Sequence, residues 1–146
     1  MPGNILLAPM SGYTDSAFRS MCVSWGADLC FSEMASAVAL ARGSRNTLRL
    51  LDRAPNDRFI GFQVFASEPA SAAKAVREIS PQKPSLIDLN CGCSVPRVLK
   101  TGCGAALLRN PKRIWEILTA MRQETDIPLT VKLRSGWDED EISYLA

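Results

Sequence analysis

Apolar positions along the chain change period several times, and each change marks a new element. Ile5-Leu6-Leu7-Ala8 is a short apolar run stopped by Pro9, a strand in outline, and Thr14 offers a cap for a helix behind it. In that helix Phe18, Met21, Cys22 and Trp25 recur at helical spacing and predict one apolar face, with Gly26 at its end. Residues 27–31 read as a second strand, 36–51 as a helical stretch and 60–65 as a third strand. Ser67 and Pro69 then open a helix whose Ala72, Ala75, Val76 and Ile79 share a face. Residues 85–89 form a fourth strand, followed by a loop rich in glycine and cysteine. Asn110-Pro111 pairs an N-cap with proline at the first helical position, ahead of a stripe of Ile114, Ile117, Leu118 and Met121. Residues 129–133 predict a fifth strand, and a further helix is expected from Asp138.

Strands alternating with helices predict a parallel sheet with right-handed crossovers. Two α/β architectures compete, an open doubly wound sheet and a (β/α)8 TIM barrel. A dinucleotide-binding Rossmann sheet needs G-x-G-x-x-G after its first strand. The nearest match, Gly102-Cys103-Gly104-Ala105-Ala106-Leu107, follows the fourth strand and ends in leucine. The barrel is therefore favoured.

Composition narrows the class without naming a partner. Hydrophobic residues make up 47% and charged residues 22%, the balance of an ordinary folded domain. No apolar run approaches the ~20 residues of a membrane span, and no basic residue precedes Ile5 as in a secretory leader. A cytoplasmic address is expected. A net charge of +2 is too small to announce nucleic acid. Arg42, Arg45, Arg49, Arg53 and Arg58 do cluster, as do Arg97, Lys100, Arg109, Lys112 and Arg113; solvated helix faces account for such groups as readily as phosphate contact. With no histidine and no CxxC pair, the five cysteines predict no metal site. Cys22 and Cys30 are expected to be buried as small apolar residues.

Chemistry collects at the strand ends. Side chains of equal parity share a face of a strand. Gly61, Gln63 and Phe65 therefore face together, as do Leu86, Asp88 and Asn90, and Thr130, Lys132 and Arg134. Glu33 sits similarly beyond the second strand. One reading is an internal polar layer, with Lys132 paired to Asp88 or Glu33. The other is a site for a planar heterocycle, whose edge the amides of Gln63 and Asn90 would meet while Lys132 stabilised negative charge. Cys93 lies in Asn90-Cys91-Gly92-Cys93-Ser94-Val95-Pro96, where a barrel would hold a catalytic thiol.

At this point the motifs resemble a family. The segment Leu7-Ala8-Pro9-Met10-Ser11-Gly12-Tyr13-Thr14-Asp15-Ser16-Ala17-Phe18-Arg19 is similar to the opening of tRNA-dihydrouridine synthases. Ser32-Glu33-Met34, Gln63, Asp88-Leu89-Asn90-Cys91-Gly92-Cys93, Gly102-Cys103-Gly104-Ala105-Ala106-Leu107-Leu108 and Val131-Lys132-Leu133-Arg134-Ser135-Gly136-Trp137 follow in the family's order. The resemblance implies a flavin-binding TIM barrel followed by a helical tRNA-gripping domain. It implies that Pro9, Met10, Ser11, Gln63 and Lys132 bind FMN, that Asn90 and Arg134 adjoin the substrate uracil, and that Cys93 is the general acid. The implied reaction uses NADPH to reduce FMN, which then reduces a tRNA uridine to 5,6-dihydrouridine.

Three departures qualify the match. Ser94 stands where the family usually has proline, which predicts a less rigid loop. Cys103 replaces a small alanine and adds a second thiol. A full barrel takes about 250 residues, so residues 1–146 are expected to cover roughly the first five β/α units of the FMN-binding domain. The C-terminal half-barrel and the tRNA-binding domain are expected to be absent, and the fragment to self-associate. A flavin barrel acting on a free pyrimidine such as dihydroorotate, and a non-catalytic partial barrel, remain the alternatives.

Overall fold

The computed structural model describes residues 5–140, 142 and 144. Five parallel strands lie side by side in chain order, β1 (Leu6–Leu7), β2 (Leu29–Ser36), β3 (Ile60–Phe65), β4 (Leu86–Cys91) and β5 (Leu129–Leu133). A doubly wound sheet reverses its strand order part-way, whereas a barrel adds each strand beside the last. The sequential order therefore makes this α/β chain a half-barrel, the architecture of a partial TIM barrel.

The outward faces of the strands carry the core. Phe62, Val64, Ile87 and Leu89 are fully buried against Ala72, Ala75, Val76 and Ile79 of α4 (Pro69–Ile79) and Ile117 and Met121 of α6 (Pro111–Arg122). These are the stripes that periodicity predicted. The α6 start is also as expected: Asn110 accepts the Arg113 N–H, and Pro111 opens the helix. No helix among the described residues is long and apolar enough to cross a membrane.

Four expectations are corrected. Asp15, not Thr14, caps α1 (Ser16–Ser24), its carboxylate accepting the Phe18 N–H; Thr14 is buried and exchanges hydrogen bonds with Met10. The inward residue of α1 is Arg19, while Met21 and Trp25 face solvent. Arg19 can be buried because its guanidinium donates to Asp57 and to the carbonyls of Thr14 and Asp52. β2 runs on to Ser36, with a register shift between Phe31 and Met34, and the following stretch breaks into α2 (Ala37–Ala41), α3 (Arg45–Leu48) and a 3-10 turn. A new cap at Ser44 restarts the chain after the first break. Beyond β5, residues 138–140 are bends rather than the expected helix, Gly136 bridges Ile142, and residues 141, 143, 145 and 146 lie outside the described residues.

Candidate active site

Strand register brings the predicted polar residues into one layer. Gln63 stands beside Asp88, Asp88 beside Thr130, and Asn90 beside Lys132. Buried polar groups must find partners, and these find each other. Asp88 accepts from Gln63 Nε2 at 2.7 Å and from Thr130 Oγ1 at 2.6 Å. Asn90 Nδ2 donates to Gln63 Oε1 at 2.9 Å. Burial raises the Asp88 pKa above the ordinary 3.8, opposed by those two hydrogen bonds and the Lys132 charge. The pairing considered for Lys132, with Asp88 or Glu33, does not form as a salt bridge; its ammonium makes no ion pair or hydrogen bond among the described residues. Glu33 instead holds the first loop by accepting the Gly12 N–H.

The layer continues into the cysteine loop. Asn90 Oδ1 accepts the N–H of Gly92 at 3.3 Å and of Cys93 at 3.0 Å. The Cys93 carbonyl accepts from Ala105 N–H at 2.9 Å, so the peptide groups on both sides of its Cα are held. Cys93 is half-buried and lines the cleft. Cys91 points to the opposite face, where burial, with the Asp88 and Cys103 charges, pushes its pKa up to about 12. A thiol so shifted stays protonated and inert. Cys103 is also buried, its Sγ near the Thr101 carbonyl, and Cys30 is buried with its pKa raised to about 11, first by desolvation.

A cleft of about 380 Å³ opens at the C-terminal ends of the strands, where barrels place their chemistry. Pro9, Ser11, Gln63, Asn90, Cys93 and Lys132 all line it, so six of the eight residues singled out from the sequence converge. The other two stand apart. Met10 is exposed and contributes its carbonyl to the first loop's turn, accepting from Tyr13 and Thr14. Arg134 turns onto the cysteine loop, donating to Gly92 O and Ser94 Oγ. Met34, Gly92, Val95, Arg97 and Val98 complete the wall. Sequence reasoning passed over these, although Met34 belongs to a quoted motif and Arg97 lies in α5 (Pro96–Leu99), which follows the cysteine loop directly. Of the basic clusters, Arg53 is taken up by carbonyls of Gln82 and Lys83, Arg113 by Glu116 and Glu68, and Arg109 by the ring of Trp137.

The sequence that builds this site has counterparts in other proteins. Residues 6–146 match the family model described as dihydrouridine synthase (Dus). The chain belongs to the dihydrouridine synthase family. It is 43% identical over 150 residues to a probable tRNA-dihydrouridine synthase of Treponema pallidum, covering 99% of this chain and 44% of that one. It is 38% identical over 136 residues to the tRNA-dihydrouridine synthase B of Xanthomonas axonopodis pv. citri, covering 93% and 41%. A tRNA-dihydrouridine(47) synthase of Coprinopsis cinerea, whose name specifies NAD(P)(+), is 36% identical over 141 residues, covering 94% and 21%. The chain thus spans less than half the length of these dihydrouridine synthases.

Proposed function

We propose that this chain carries the proton-donating and flavin-facing half of an enzyme that reduces a tRNA uridine to 5,6-dihydrouridine, using FMN and NADPH. The observation that carries this reading is the convergence of Asn90, Cys93 and Lys132 on one cleft at the strand ends. The donor set suits a flavin ring. Pro9 and Met34 offer apolar surface, Gln63 and Ser11 offer polar edges, and Lys132 is a cation with no salt bridge among the described residues. Those residues would hold FMN, which when bound supplies hydride to uracil C6.

Hydride addition leaves an enolate that needs a proton at C5. The Cys93 thiol gives that proton and is left as thiolate, to be reprotonated from solvent. Asn90 keeps one amide N–H for a uracil carbonyl, since its other N–H and its Oδ1 serve the protein. Arg134 likewise retains three N–H groups after its two loop contacts. The target base must leave its stack to reach such a recess.

The test is dihydrouridine formation on unmodified tRNA with FMN and NADPH, in the polypeptide carrying this chain. Cys93→Ala should leave FMN binding nearly unchanged and cut product about 10²–10⁴-fold. Cys91→Ala and Cys103→Ala should cost far less. Equal damage from Cys103→Ala would defeat the assignment of the acid. Reduction of free orotate or uracil without RNA would assign the cleft to a small pyrimidine instead.

A further inference from the structure

We propose that Arg134 and Ser94 are positioning residues that set the aim of the Cys93 thiol, a role that rests on reading Cys93 as the proton donor. Arg134 Nε donates to Gly92 O at 2.7 Å and its Nη2 to Ser94 Oγ at 3.2 Å, so one guanidinium grips the residues on both sides of Cys93. The grip comes from the end of β5, while the loop leaves β4, so the two strand ends are tied across the thiol. From the opposite side Asn90 and Ala105 hold the Cys93 peptide groups. The remaining freedom of the loop is a hinge about Ser94, which is exposed and whose N–H makes no hydrogen bond among the described residues. A proline there would remove that freedom with its ring and would sacrifice no backbone hydrogen bond, only the one that the Ser94 hydroxyl accepts. In this chain the hydroxyl of Ser94 does the same by bonding a neighbour's side chain, so the rigidity resides in a pair rather than in a ring. The fork of Arg134 is needed because two acceptors must be reached from one fixed plane.

Alkylation of Cys93 by iodoacetamide, resolved cysteine by cysteine by mass spectrometry, reads the opening of the loop directly. Ser94→Ala should raise the rate at Cys93 about tenfold, and Arg134→Met at least as much, the shift that loss of a charge-assisted hydrogen bond produces. Ser94→Pro should return it to the wild-type rate. Cys22, half-buried on α1 and outside the cleft lining, reports general loosening in the same sample and should not change. In the catalytic assay Ser94→Ala should lower kcat about tenfold with KM for tRNA unchanged, and Ser94→Pro should restore it. Wild-type alkylation in both Ser94→Ala and Arg134→Met, or an equal rise at Cys22, overturns the clamp. A wild-type protein that forms no dihydrouridine would defeat the proposed reaction, while the ranking of alkylation rates would still decide the clamp.

Discussion

Gly104 supports Cys93 from below, and one added methyl group should separate the stability of the fold from the accuracy of its thiol. Gly104 has φ +64°, and a Cβ there would lie 2.5 Å from the Cys93 carbonyl oxygen, 3.1 Å from Val98 Cγ1 and 3.2 Å from Cys93 Cβ. The first distance is roughly 1 Å inside ordinary packing contact. Left-handed backbone costs a non-glycine residue about 1–2 kcal/mol, and forced overpacking about 1–3 kcal/mol. Gly102 provides the internal control. Its φ is +72°, but its nearest new contact would be Ser67 Cβ at 3.5 Å, so Gly102→Ala carries only the backbone cost. The loop can relieve the Gly104→Ala clash only by moving the Cys93 carbonyl, which breaks its bond from Ala105. Displacement of a reacting group by about 1 Å costs on the order of 10²-fold in rate. Urea unfolding and dihydrouridine formation should therefore diverge. Gly104→Ala should lose about 2–5 kcal/mol and about 100-fold in product formation, and Gly102→Ala about 1–2 kcal/mol with near-normal activity. Equal effects of the two substitutions on activity would refute the reasoning.

Three further outcomes follow from the same geometry. Lys132→Met should weaken FMN retention and slow its reduction by NADPH, because the reduced ring loses a positive neighbour; wild-type flavin content and reduction rate would place Lys132 outside the site. Asp88, with its pKa raised by burial, contributes stability that is fully present below pH 3.8 and is lost as pH rises through the raised folded value. Urea midpoints of Asp88→Asn should therefore fall less with rising pH than those of wild type, and parallel profiles would deny the shift. Residues 1–146 alone should self-associate, since β1 and β5 are edge strands, exposed Leu6 lies in β1 and exposed Trp115 lies against β5; a monodisperse monomer by sedimentation would contradict this.

What could be read in the sequence followed from what each residue meets. Stripes such as Ala72-Ala75-Val76-Ile79 were legible because burial of one helix face is decided by spacing. The shared face of Gln63, Asp88, Asn90 and Lys132 was legible too, since parity along a strand does not depend on the neighbours. The burial of Arg19 was not legible, because an arginine on a helix face normally marks solvent; besides the nearby Thr14 carbonyl, its partners are Asp57 and the Asp52 carbonyl, both distant in sequence. The second strand was cut short at Ser32 and Glu33, polar residues that look like a loop. Their partners are tertiary: the Ser32 hydroxyl accepts the Gln63 N–H, and Glu33 accepts from Gly12. Arg134 was assigned to substrate by its motif, and its contacts with Gly92 and Ser94 depend on a loop conformation that no spacing rule reports.

The direction of the hydrogen bonds under the cleft traces back to a single carboxylate. An ionised Asp88 can only accept, so Gln63 must turn its Nε2 toward Asp88 and its Oε1 toward Asn90. Asn90 is then obliged to present Nδ2 to Gln63, which leaves Oδ1 for the N–H groups of Gly92 and Cys93. With the Asn90 amide reversed, its Nδ2 would be directed at two donors and the cysteine loop would lose its anchor. Asparagine at position 88 can offer either a donor or an acceptor to Gln63, so the polarity would no longer be imposed. The opposing effect is visible in the raised Asp88 pKa, since burial disfavours the charge that imposes this polarity. Thr130 lowers that cost by donating from β5, and the Lys132 charge lowers it further. An electrostatic strain accepted three residues before the end of β4 therefore fixes which way the backbone of Cys93 is held.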